Sequence, residues 1–192
     1  MPLAHCSMPD ALIPSSQSPV PNPLKSVGKP MTTLMLGSDD LSKLTSAVMT
    51  SGMAVSIVDV GIISTAIEAG AMAKEIAGAA KKYPNNSVIQ ALFSDDAMKK
   101  AQTEGYLKVE AKPEEMTPEK AVDTAIARIA EALIVLEGKA SAEEIGEYKQ
   151  FIYSCAARVA NAAGSGLFGS GSPKVSDKEA VALAKIKAAL GL

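Results

Sequence analysis

From residue 122 onward, apolar side chains return every three or four positions, and this rhythm constrains the fold more than any other feature of the chain. Val122, Ile126, Ile129, Leu133 and Leu136 recur at spacings of 4, 3, 4 and 3. Ile145, Tyr148, Ile152, Cys155 and Val159 recur at 3, 4, 3 and 4. Such spacing puts each set on one face of an α-helix. No segment alternates with period two between turns, so the chain is read as all-α.

Start and stop signals divide it. Ser38 reads as the N-cap of a first helix over about 39–58, with Leu41, Leu44, Val48 and Val55 on its buried face. A break at Asp59-Val60-Gly61 precedes a second helix, about 62–83, ended by Pro84. Three Ser-x-x-Glu/Gln patterns, Ser87 with Gln90, Ser141 with Glu144 and Ser176 with Glu179, read as capping boxes. One or two helical turns are expected near 97–102. Thr117 followed by Pro118 opens another helix, which Gly138 closes. The expected architecture is a compact bundle of about six helices, with amphipathic faces forming one antiparallel core.

Seven of the 11 prolines lie in the first 32 residues: Pro2, Pro9, Pro14, Pro19, Pro21, Pro23 and Pro30. Residues 1–32 are therefore expected to be a disordered Pro- and Ser-rich tail, and 33–192 the helical domain. Lys25, Lys29 and Asp10 are the tail's charged residues, which leaves the remainder with 17 basic and 20 acidic side chains, a net of −3.

Composition narrows the chemistry. His5, the sole histidine, lies in the tail, so the helical domain has none for a Ser-His-Asp site or a His-ligated zinc. Arg128 and Arg158 are the only arginines, and the net charge is −2; nucleic-acid recognition is not expected. Cys6 and Cys155 are far apart, which favours free thiols and a reducing, cytoplasmic compartment. The most apolar run, 52–67, carries Asp59 and two glycines and is short of a bilayer span, so it reads as core helix.

Two stretches resemble each other: residues 54–59, a break and Glu68, against residues 159–164, a longer break and Glu179. Each is a helix end, a loop, and a new helix with an acid in its first turn. Residues 159–190, VANAAGSGLFGSGSPKVSDKEAVALAKIKAAL, and 54–70, AVSIVDVGIISTAIEAG, resemble a family of small all-helical bacterial proteins of unassigned function. More distantly, the pattern of helix, acidic loop, Ser-x-x-Glu and helix resembles the tellurite-resistance TerB-like proteins. In those the acidic groups have been proposed to hold a metal. The resemblance implies an all-helical fold and, for Asp59, Glu68 and Glu179, a divalent-cation site, since hard cations take carboxylate and carbonyl oxygens.

Gly164, Gly166 and Gly169 carry the letters of a dinucleotide fingerprint, but a helix rather than a strand precedes them, so they read as a helix end and loop. Leu167 and Phe168, flanked by these glycines, either fold back over the bundle or form a partner contact. The leading expectation is a non-catalytic protein acting through protein contacts, stress-related in role, with self-association as one form of contact. The alternatives are the metal-responsive module and a small-molecule or lipid carrier using a cavity in an Ala- and Gly-rich bundle.

Overall fold

The computed structural model describes residues 34–58, 65–105, 112–163 and 175–192. The expectations placed on residues 1–32, on Asp59, and on Leu167 and Phe168 lie outside the described residues. The described residues form seven α-helices: α1 Ser38–Val58, α2 Thr65–Lys82, α3 Ser87–Phe93, α4 Asp95–Glu104, α5 Ala121–Leu136, α6 Ala142–Ala163 and α7 Asp177–Leu190. A single 3-10 turn, Pro113–Glu115, precedes α5. The protein is thus an all-α bundle, with one more helix than the sequence suggests. The addition is α4, where a turn or two was expected: Ser94 caps its start and Gly105, at φ +80°, closes it in the left-handed region.

Helix α1 is the central element. It packs against α5 and α6 and also meets α7, and it buries Leu44, Ala47, Val48, Ala54 and Val55 completely. It is long and apolar enough to cross a membrane by length and composition, yet its packing is that of a core helix. The facing surface of α5 is built on Ala121, Ala125 and Ala132 together with Ile129 and Leu136. Ile126 and Leu133, part of the periodic stripe, are only half-buried. The buried face is therefore rotated from the large side chains toward the alanines. Small side chains let two helix backbones approach closely, and close packing recovers dispersion energy that large side chains would otherwise supply. Tyr148 of α6 reaches across the core, and its hydroxyl donates to the Leu44 carbonyl at 2.7 Å. Burial pushes the Tyr148 phenol well above its usual range, so it stays a neutral donor.

The helix starts follow the sequence reading in some places and not in others. The boxes at Ser141/Glu144 and Ser176/Glu179 both form, with Ser141 N donating to Glu144 Oε2 at 2.9 Å and Ser176 N to Glu179 Oε2 at 2.8 Å. The box at Ser87 does not. Asn86, one residue earlier, caps α3 by accepting from Ile89 N at 2.9 Å, because its buried amide also reaches α6. Ser38 is the first helical residue rather than the cap. Gly37 takes the cap position, and its N–H donates to Asp40 Oδ2 at 3.2 Å. The same oxygen accepts from Lys139 Nζ at 2.6 Å, tying the start of α1 to the end of α5. Helix α5 begins at Ala121, a turn after Thr117, whose carbonyl accepts from Lys120 N and Ala121 N.

Candidate functional site

Helices α1 and α2 both lie along α6 but hardly touch each other. The space between them is a groove of about 680 Å³. Its two walls follow from helix periodicity. Met49, Gly52, Met53 and Ser56 recur at 3, 1 and 3 along one face of α1; Glu68, Met72 and Ile76 recur at 4 and 4 along one face of α2. Val159 of α6 lines the groove between them, and Phe93 of α3 with Met98 of α4 closes one end.

Four of the nine methionines in the chain line this groove: Met49, Met53, Met72 and Met98. An unbranched thioether fills irregular space and repacks at low cost, so methionine suits a surface that must adapt to an occupant. Met72 crosses from α2 toward α1, where Gly52 makes room: a Cβ at position 52 would lie 2.6 Å from Met72 Sδ. Ala69, Ala73 and Ala77 of α2 line the groove and are exposed, so its rim is low.

Glu68 is the unusual member. It is 3% exposed, lines a mostly apolar space, and accepts a hydrogen bond from the Ser56 hydroxyl across the groove. A buried carboxylate costs free energy unless it is hydrogen-bonded or paired. Among the described residues, the other ionisable side chain on the lining is Asp95, exposed at the start of α4, and no lysine or arginine lines it.

Glu179, the counterpart of Glu68 in the second helix–loop–helix unit, is also buried, at 2% exposure, and its carboxylate is engaged in the α7 capping box. Ser56 faces Glu68, whereas Val58, two residues on and roughly 200° round the helix, lines a separate cleft beside Asp177 and Ala182 of α7. The two helix starts therefore flank the end of α1 on different sides. Among the described residues, no three His, Cys, Asp or Glu side chains come together as a metal-holding group. Asp59 lies outside the described residues, as do Leu167 and Phe168.

Cys155 is fully buried on α6, and burial pushes its thiol above the usual range, which leaves it a packing residue rather than a nucleophile. Glu144, expected from the sequence only as part of a capping box, is a highly connected carboxylate among the described residues. Glu144 Oε1 accepts from Ser87 N at 3.0 Å and Ser87 Oγ at 2.6 Å, while Oε2 accepts from Ser141 N. Partial burial alone would raise its pKa, but the bonds from Ser87 and Ser141 outweigh this and take it from 4.5 to about 2. Sequence reasoning found the local half of this arrangement and missed the half supplied by α3. It missed the groove as well; the signal was the i, i+4 pair Met49 and Met53 with Met72 on the next helix.

No family model, curated protein or solved structure matches the chain.

Proposed function

We propose that this is a non-catalytic binding protein that takes an apolar, lipid-sized molecule into the groove between α1 and α2. One observation carries the reading: two neighbouring helices lean on α6 without closing on each other, and the space they leave is lined by four methionines, Ile57, Ile76, Phe93 and Val159. Its volume lies within the range of small-molecule pockets, and a mostly apolar wall with a few placed polar groups is their usual make-up. A purely structural gap of this size would forfeit packing that a bundle rich in alanine elsewhere achieves.

The experiment is titration of the protein with the neutral apolar dye Nile red, followed by the variant Ala73→Trp. Ala73 is exposed and lines the groove, so an indole there occupies the space without disturbing the core. Saturable dye binding that the variant abolishes supports the reading. Binding unchanged in the variant, or none in either protein, overturns it.

The methionine lining also favours a second reading, in which the occupant is the apolar face of a partner helix, as adaptable methionine surfaces accept. Exposed Ile67, beside Glu68 on α2, would extend the contact beyond the groove. Ile67→Ser separates the two: it weakens a peptide partner and leaves the dye affinity alone.

A further inference from the structure

We infer that the occupant of the groove carries a positive charge, and that Glu68 is its counter-ion. This rests on the groove being a binding site and specifies the class of ligand: a single-chain amphiphile with a primary ammonium head.

Among the described residues, the ionisable side chains lining the groove are two, and both are acidic: Glu68 inside and Asp95 at the α4 end. An apolar chain lying against the Met, Ile, Ala and Val walls would displace water and lower the local dielectric, which strengthens a charge pair formed there. An anionic head would meet Glu68 in that setting and be repelled; a neutral head would leave the carboxylate buried without a counter-charge. An ammonium both neutralises the carboxylate and donates to it. Among the described residues, Ser56 is the donor that orients Glu68, through one oxygen, against the roughly four lone-pair directions a carboxylate offers. A compact, three-donor head fits better than a bulky quaternary one, since Phe93 is the one aromatic ring on the lining among the described residues and a quaternary head is usually held in an aromatic cage. The chain of the amphiphile lies along Met72, Met53 and Ile76, toward Phe93 and Met98.

The test compares three probes of equal chain length, decylamine, decanol and decanoate, by titration calorimetry on the full chain at neutral pH. The expected order of affinity is amine, alcohol, carboxylate, with the amine at least tenfold ahead of the alcohol. Glu68→Gln is expected to bring the amine down to the level of the alcohol and to leave the alcohol unchanged. Asp95→Asn is expected to change the amine affinity no more than about twofold, as befits an exposed charge. If amine and alcohol bind equally to the unaltered protein, or if Glu68→Gln keeps the amine preference, the inference fails while the apolar-groove reading stands. If none of the three binds, the groove reading itself fails. Should Glu68→Gln not fold, Glu68→Asp replaces it: the charge remains but is withdrawn by one methylene, and the amine advantage is expected to shrink without disappearing. An advantage of undiminished size in that variant also overturns the inference.

Discussion

The two ends of α2 are built on opposite plans. At its C-terminal end the buried polar side chains are engaged. Gln90 Nε2 donates to the Ala80 and Tyr83 carbonyls at 2.7 and 3.0 Å, closing the last turn. Asn86, fully buried, caps α3 and donates to the Glu144 carbonyl and to Glu147 Oε2. Ser87 meets Glu144, and Phe151 packs against Tyr83 and Phe93 with ring centroids 6.1 and 5.3 Å away. At the N-terminal end, Glu68 is more fully removed from solvent than the half-buried Glu144 but faces a mostly apolar groove, with the Ser56 hydroxyl across from it. One carboxylate, Glu144, ties the start of α3 to the start of α6. The other sits where a ligand's charge would complete it. The difference teaches that burial of an acid does not by itself indicate a role; the number and origin of its donors do.

The largest expected effect is at the clamp. Asn86→Ala removes a cap and two inter-helix bonds from a fully buried position, at a cost of about 3 kcal/mol, read from urea unfolding. A loss below about 1 kcal/mol would show that the clamp is not what fixes α3 on α6. Glu144→Gln comes next, at about 2 kcal/mol, because an amide cannot accept from Ser87 and Ser141 as a carboxylate does. Its pH dependence has a definite sign. The folded pKa, about 2, lies below the ordinary 4.5, so the carboxylate's contribution is complete above pH 4.5 and is lost as the pH falls toward 2. The unaltered protein is expected to lose stability across that window more steeply than Glu144→Gln. Parallel acid profiles would erase the contrast between the two ends.

That contrast also marks what could be read from the sequence. Element types, the boxes at Ser141 and Ser176, and the buried stripe of α6 depend on neighbours within one or two turns, and local spacing carries them. The α3 cap was misplaced by one residue because Asn and Ser are comparable caps, and the decision between them was made by Glu144 and Glu147, some 60 residues away. The groove is a property of five helices at once. Met49, Met53 and Met72 have the spacing of ordinary core residues, and only the failure of α1 and α2 to close on each other turns them into a lining. Glu68 was singled out for its place in a first turn beside an acidic loop. Its surroundings, apolar walls and the Ser56 hydroxyl, come from tertiary packing that no local pattern encodes.

At the other end of α2, Glu68→Gln is expected to change stability by less than about 1 kcal/mol. The amide oxygen still accepts from Ser56, and no second helix depends on the charge. Thermal unfolding compared with Glu144→Gln checks this. A loss as large as that of the clamp variant would make both ends structural and remove the functional meaning of the difference.

The smallest expected effect on stability is also the sharpest test of the groove. Gly52 lies mid-helix, where alanine would be favoured by about 1 kcal/mol from helix propensity alone. The new Cβ would sit 2.6 Å from Met72 Sδ, 3.1 Å from its Cε and 3.3 Å from Val159 Cγ2. Val159 must give by a few tenths of an ångström, but the Met72 thioether is the end of a flexible side chain, and the open direction for it is the groove. The strain and the propensity gain therefore nearly offset each other, and Gly52→Ala is expected to unfold within about 1 kcal/mol of the unaltered protein. Its Nile red affinity is expected to fall several-fold, because the displaced thioether occupies the space of the ligand. Unchanged affinity with a large loss of stability would mean that Gly52 serves packing between α1, α2 and α6 and that Met72 has no open space to enter.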